Sequence, residues 1–377
     1  MAIKILIAGD FVPQLRLKEA FLSGKAKEVW GDIPSVVADS DYSVLNLECP
    51  VFNGTAQPIK KTGPNLSCGS YTVDSIKYAG FDGVTLANNH FRDYGDDEIR
   101  STLDLLDSNN IDHLGGGLNP QEAAKVLYKQ IEDKKIAFVN MCENEWSIVT
   151  DNHAGSNPLD EISLYYTITE AKKNSDYLIA IIHGGKELYQ LPTPRMKRLY
   201  RYIIDLGADS VINHHQHCFS GYEVYHEKPI FYGLGNFLFD KGGLYLDGWH
   251  DGYMVQLELD DTVHFHMLPY RQCDENVGIS LLTDKTTFFK KIDELNEIIA
   301  NDFLLESHYS EIVSKNVDIV KGLLEPYLCR YYRGFVNKFK WPFLQTTDGY
   351  KLLMANLQCE THFDVFLAAL KTIVNKK

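Results

Sequence analysis

Ser210-Val211-Ile212-Asn213-His214-His215-Gln216-His217 is the stretch that decides how this chain is read. Ser210–Ile212 is a short β-prone run, and it leads straight into three histidines within four positions. In an extended segment residues i and i+2 point to the same side, so His215 and His217 are expected to present two imidazoles to one place. Imidazole is the commonest protein metal ligand. In α/β sheets, sites form beyond strand ends. The other strand ends are therefore the places to search.

Working outward, four more strand ends carry chemistry. Leu178–Ile182 reads as a buried strand and is followed by His183-Gly184-Gly185-Lys186-Glu187, where two glycines let backbone approach a ligand. Lys4–Ala8 leads into Gly9-Asp10, and Asp10 offers a hard oxygen or serves as a turn or helix cap. Tyr42–Leu47 leads into Glu48, a carboxylate beside buried sequence that needs a partner or a cation, or else sits at the surface. Gly83–Leu86 leads into Ala87-Asn88-Asn89-His90 and then Phe91-Arg92-Asp93-Tyr94-Gly95. There the Asn89 amide oxygen can bind a metal, and His90 can act as acid or base. Mixed carboxylate and imidazole donors suit Mn, Fe, Co or Zn better than Mg or Ca. Two such ions roughly 3.5–4 Å apart form a clamp for hydrolysing phosphate esters.

The rest of the pattern is consistent with an α/β protein. Further strands are expected at Ile136–Asn140, Ile230–Leu234, Tyr253–Leu259 and Val263–Leu268, with the last two pairing across Asp260-Asp261. Helices are expected at Ile99–Leu106 and Met196–Leu206. From about Gly278 the pattern turns helical, at Thr286–Leu305, Tyr309–Lys321 and Met354–Ile373. We divide the chain into residues 1–275 and an α-helical extension, 276–377. The extension includes an aromatic-rich stretch, Tyr327-Leu328-Cys329-Arg330-Tyr331-Tyr332-Arg333, expected to be core.

Composition narrows the function classes. The chain has 377 residues, is 45% hydrophobic and 23% charged, and carries a net charge of −14. These are globular values. The acidity excludes a nucleic-acid binder that works through a broad basic face. Residues 276–377 hold 13 basic and 12 acidic side chains, so the front part carries a net charge of −15. That excess fits a cation-binding face, and it disfavours a highly anionic polymer held on the surface outside the pocket. No apolar run reaches the roughly 18–20 residues of a membrane helix. Seven irregularly spaced cysteines and the absence of a signal pattern lead us to expect a cytoplasmic protein without a transmembrane anchor.

Over about residues 3–270 the sequence resembles the CapA family of capsular poly-γ-glutamate synthesis, a branch of the calcineurin-like metallophosphoesterases. The resemblance rests on Ile7-Ala8-Gly9-Asp10, Asn46-Leu47-Glu48, Ala87-Asn88-Asn89-His90 with Asp93-Tyr94-Gly95, and Gly115-Gly116-Gly117-Leu118-Asn119. It continues through His183-Gly184-Gly185-Lys186-Glu187, Gly207-Ala208-Asp209, His215-Gln216-His217 and Tyr232-Gly233-Leu234-Gly235-Asn236-Phe237-Leu238-Phe239-Asp240, the most family-specific stretch.

The resemblance implies a four-layer α/β/β/α metallophosphoesterase-like sandwich with the helical appendage outside it. It implies one or two divalent ions, Mn, Fe or Zn first. Asp10 and His217 would hold the first ion, Asn89, His183 and His215 the second, and Glu48 would bridge them. His90 would be the general acid that protonates the leaving oxygen. Asp10-Phe11-Val12 lacks the histidine of the superfamily's Asp-x-His, which leaves the first ion fewer protein ligands. Lys61, Arg92 and Glu187 lie near these motifs as candidate substrate-binding residues. The implied function is a metal-dependent hydrolase, a phosphoesterase linked to capsule or poly-γ-glutamate biosynthesis. It would act on a small anionic substrate or polymer precursor, with capsule-synthesis proteins as partners. The alternatives are a non-catalytic polymer-binding or scaffold component of a synthase, and a metal-dependent γ-glutamyl amidase or peptidase.

Overall fold

The computed structural model describes residues 2–375 apart from Asn53, Thr55, 245–247, 325–337 and 339–346. The stretch Tyr327–Arg333 lies outside the described residues. In chain order the strands are β1 (Ile3–Val12), β2 (Tyr42–Leu47), β3 (Gly83–Thr85), β4 (Asp112–Leu114), β5 (Gly116–Gly117), β6 (Leu127–Ile131), β7 (Lys134–Cys142) and β8 (Gly155–Ser156). They continue with β9 (Tyr177–His183), β10 (Ser210–His214), β11 (Tyr222–Tyr225), β12 (Lys228–Phe231), β13 (Asn236–Phe239), β14 (Asp251–Leu259), β15 (Val263–Gln272) and β16 (Ile279–Leu281).

Two sheets face each other. The first runs β16-β15-β14-β1-β2-β3-β4, with β13 branching onto β1; the second runs β11-β12-β10-β9-β7-β6. Strand alternation sorts the residues of β1 and β2 between two cores. Ile5, Ile7, Tyr42 and Val44 point inward and join Phe138, Ile179, Ile181 and Val211 of the second sheet. The Tyr42 and Phe138 rings meet across this gap at 5.3 Å. Leu6, Ala8, Leu45 and Leu47 point outward, onto helices Arg16–Leu22, Ala26–Trp30, Ile33–Val37, Tyr71–Ala79 and Asp96–Ser108. Trp30 anchors that layer, with Phe11 at 5.5 Å and Phe237 at 5.8 Å.

The fourth layer covers the second sheet. Helix Pro194–Asp205 begins with proline in its first turn and with Thr193 accepting a hydrogen bond from the Met196 amide. Its buried residues Met196, Leu199, Tyr200, Ile203 and Ile204 recur at helical spacing. Helix Glu161–Lys173 is capped by Asp160 and buries Leu164, Ile168 and Ala171. The chain is therefore the α/β/β/α sandwich that the resemblance implied, followed by helices.

One feature of the first sheet positions the site. β1 pairs antiparallel with β14 over Ile3–Ile7, then leaves it and pairs parallel with β13 from Asp10 to Val12. On its other side β1 runs parallel to β2, with an irregularity between Ile7 and Asp10. Asp10 sits just past this fork, inside the strand rather than after it.

Beyond residue 275 the chain still adds to the sandwich. β16 pairs with β15, and helix Thr286–Ala300 buries Phe288, Ile292, Leu295 and Ile299 in the inter-sheet core. The continuous helix expected over Thr286–Leu305 is cut at Asn301, whose side chain accepts hydrogen bonds from the amides of Phe303 (3.0 Å) and Leu304 (3.2 Å) and starts helix Asp302–Leu324. The expected Met354–Ile373 helix is likewise two helices, Thr347–Gln358 and Glu360–Asn375, meeting at buried Cys359. Helices Asp302–Leu324 and Glu360–Asn375 share a third core of Val313, Val317, Val320, Leu323, Phe366 and Ala369.

Candidate metal centre

The parallel strands of both sheets end at one place. Asp10 lies level with Asn46 across β1 and β2, and His183 lies level with His214 across β9 and β10. Donor atoms of Glu48, His183 and His215 lie within 4.8 Å of one another, and so do those of Asp10, Glu48 and His217. Glu48 belongs to both groups. His183 Nε2 is 3.1 Å from Asn89 Oδ1, 3.1 Å from His215 Nδ1 and 3.5 Å from Glu48 Oε1. His217 Nε2 is 3.7 Å from Glu48 Oε1, and its Nδ1 is 3.6 Å from Asp10 Oδ2.

The surroundings orient these groups. Asn46 donates to Asp10 Oδ1 at 2.8 Å and lies 3.3 Å from His183 Nδ1. The His215 backbone amide reaches Asp10 Oδ2 at 3.3 Å. Asn236 Oδ1, an acceptor, is 3.0 Å from His217 Nδ1, which puts the proton there and turns the Nε2 lone pair toward Glu48. His214 takes no place among the donors; its Nε2 binds the Ala8 carbonyl at 3.0 Å and ties β10 to β1.

His215 and His217 do meet at one site, though not by strand parity. β10 ends at His214, and His215 (φ 91°) and His217 (φ 56°) are both left-handed. A tight turn brings the rings together, with centroids 6.2 Å apart. Such conformations cost about 1–3 kcal/mol each in a residue with a side chain.

The donor set fits divalent cations. Glu48 is 0% exposed, and among the described residues neither of its carboxylate oxygens has a hydrogen-bond partner; His215 Nε2 is also buried and unpartnered. Burial, then Asp10, Glu187 and Glu145, hold the Glu48 carboxyl well above its ordinary range. Burial also raises Asp10, against the pull of His217. Burial lowers His183 and His217, and pushes His215 down to about 4. Burial thus disfavours charge on the imidazoles and the carboxyls alike, and it leaves the imidazole lone pairs to offer. A bound cation would reverse that balance.

His90 stands beside the donors in a different network. Its Nδ1 is 2.6 Å from Asp93 Oδ2 and 3.1 Å from Lys61 Nζ, and Lys61 also pairs with Asp93. Asn88 holds the turn, accepting from the His90 amide at 3.1 Å and donating to the Leu47 carbonyl at 2.9 Å. Lys61 is therefore a buried ion-pair partner of the His90 turn. Arg92 is engaged by Asp96 at 3.0 Å, four residues on. Glu187 is exposed. Crowding raises its carboxyl, and the fields of His215, His217, Lys186 and His90 outweigh this and bring it to about 2.

The sequence reading gave no role to Asn46 and Asn236, though both lie in quoted motifs, and it passed over Glu145. Glu145 accepts from Asn89 Nδ2 at 3.3 Å and lies 3.7 Å from His215 Nε2. It follows β7, so the strand-end rule applied to Glu143-Asn144-Glu145 would have found it.

The profile of the family described as "Bacterial capsule synthesis protein PGA_cap" matches residues 4–241. The chain is 30% identical to the capsule biosynthesis protein CapA of Bacillus anthracis over 267 residues, covering 68% of this chain and 64% of that protein. It is 30% identical to the PGA biosynthesis protein CapA of Bacillus subtilis (strain 168) over 252 residues, covering 65% of each. The matched region thus spans a little under two thirds of either relative's length. A solved structure described as a novel phosphatase, from Mycoplasma pneumoniae, superposes with a TM-score of 0.47 at 14% identity over 73% of this chain and 95% of that one. With the profile covering more than half of its length, the chain belongs to the bacterial capsule synthesis family PGA_cap.

Proposed function

We propose that this chain is a metal-dependent phosphoesterase that acts on a small anionic substrate in capsule or poly-γ-glutamate biosynthesis. The observation that carries this reading is Glu48: a buried carboxylate with two unpartnered oxygens, shared by two groups of donors. Divalent ions held there, Mn, Fe or Zn, would supply Lewis acidity to a phosphoryl oxygen and to the attacking water.

The chain's residues divide the remaining work. Asp10, Glu48 and His217 form one set of ligands, and Glu48, Asn89, His183 and His215 the other. Asn46 and Asn236 hold Asp10 and His217 in orientation. His90, fixed by Asp93, protonates the leaving oxygen. The front part's net charge of −15 favours a compact substrate that reaches the pocket over a polymer lying along the surface.

The test pairs elemental analysis with a screen of aryl phosphate mono- and diesters in Mn²⁺. One or two ions per chain and ester cleavage are expected. His217→Ala should lose an ion and the activity. His90→Ala should keep the ions and lose about 10²–10⁴ in rate. No ion at saturation and no cleavage would defeat the hydrolase reading and leave a binding or scaffold role. Activity surviving both substitutions would show that the site is elsewhere.

A further inference from the structure

The segment 358–364 lies outside residues 4–241, yet it docks on the loop that carries Glu145. Glu360 accepts from the Asn144 amide at 2.7 Å and from the Asn144 side chain. Thr361 donates to Glu143 at 2.8 Å, and Cys359 Sγ lies 3.6 Å from the same carboxylate. Gln358 donates to the Glu145 carbonyl. Arg195 bridges the two sides, pairing with Glu143 and, at 2.8 Å, with Asp364. Cys359 and Thr361 are fully buried, so this is an interior joint. Its far side is the pocket, where the Glu145 carboxylate meets Asn89 and His215.

We propose that helix Glu360–Asn375 is a wall of the pocket: its first turn holds loop 143–145 so that Glu145 reaches Asn89 and His215. The hold on the loop stands apart from the metal-centre reading; its effect on ion binding rests on that reading. Glu145 supports the orientation of Asn89 and His215 from behind, as outer-shell carboxylates do for metal ligands.

The experiment uses the full chain with Glu360→Ala and Glu360→Gln. Hydrogen exchange of amides 143–147 reads the joint without any metal. Glu360→Ala should speed exchange there, with Glu360→Gln between it and the wild type; unchanged protection in both variants overturns the hold on the loop. Calorimetry with Mn²⁺ reads the pocket. Glu360→Ala should weaken Mn²⁺ about tenfold. A wild-type chain that binds no Mn²⁺ overturns the metal-centre reading, while hydrogen exchange still decides the joint. If Glu360→Ala fails to fold, Glu360→Gln carries the same comparison.

Discussion

Replacing Glu48 with glutamine should reverse which form of the protein is more stable. The Glu48 carboxyl is fully buried without a hydrogen-bond partner among the described residues, and burial holds it well above its ordinary value of 4.5. A buried polar group left unsatisfied costs about 1–3 kcal/mol. A glutamine side chain has nearly the same shape and is just as unsatisfied, but it has no charge to desolvate, so the ion-free Glu48→Gln variant should escape the extra cost of a buried charge, about 1–3 kcal/mol at alkaline pH. The sign follows from proton binding. The folded chain holds this proton more tightly than the unfolded chain, so the stability it contributes is full below 4.5 and is lost as pH rises toward and through the raised folded value. The variant has no such loss, and the gap between the two should widen from pH 5.5 to pH 8.5.

The size of the effect can be set against the melting transition. About 2.1 cal/mol/K per residue makes 1 kcal/mol worth roughly 1–2 °C in a chain of this length. The ion-free variant should thus melt about 1–5 °C above the wild type at pH 8.5. With Mn²⁺ at about 100 times its dissociation constant the wild type should gain about 2.7 kcal/mol, or roughly 3–5 °C, and the variant little. The assay is scanning calorimetry in chelator and in Mn²⁺ at three pH values. A variant less stable than the wild type in chelator at pH 8.5, or one that gains as much from Mn²⁺, would refute the idea that Glu48 waits unpaired for a cation.

Three more substitutions probe the surroundings. Asp93→Asn removes the negative charge 2.6 Å from His90 Nδ1, and kcat should fall about 10²–10⁴-fold with ion content unchanged, checked by kinetics beside elemental analysis. Lys61→Met leaves Asp93 in the interior without its ion-pair partner and should cost about 3–5 kcal/mol in a urea melt; a loss under about 1 kcal/mol would count against a buried pair. Gly9→Ala would set a methyl 2.1 Å from the Gly235 carbonyl oxygen, and the forced shift should cost about 1–3 kcal/mol in the same melt and reduce bound Mn²⁺ by displacing Asp10.

The site was legible in the sequence wherever a chemical residue abutted an apolar run, because strand ends are where a sheet must stop and expose its edge. Asp10, Glu48, Asn89, His90, His183, His215 and His217 were all singled out this way. The means by which His215 and His217 meet were not legible: a turn with two left-handed histidines depends on what packs around it, and strand parity says nothing about it. Asn46 was quoted within Asn46-Leu47-Glu48, but its place inside the strand Tyr42–Leu47 gave it no role. Lys61 was read as a candidate substrate-binding residue because its partners, His90 and Asp93, lie about thirty residues on. The Arg92–Asp96 contact had a visible cue in its four-residue spacing. The docking of residues 358–364 on 143–145 spans more than two hundred positions, beyond any local pattern.

The fork in β1 carries a consequence for tolerance to insertion and deletion. A strand with one partner per edge can slip by two residues and keep its faces. β1 cannot, because its first half is in register with β14 and its second half with β13, and a slip that suits one ladder breaks the other. Adding or removing a residue between Ile3 and Val12 would therefore disrupt the sheet and carry Asp10 off its level with Asn46. The β14–β15 hairpin, whose tip at Asp260-Asp261 is exposed, could take an extra residue in its turn with its ladder intact. Length variation in this chain should be absorbed at the sheet's outer edge and refused at its centre.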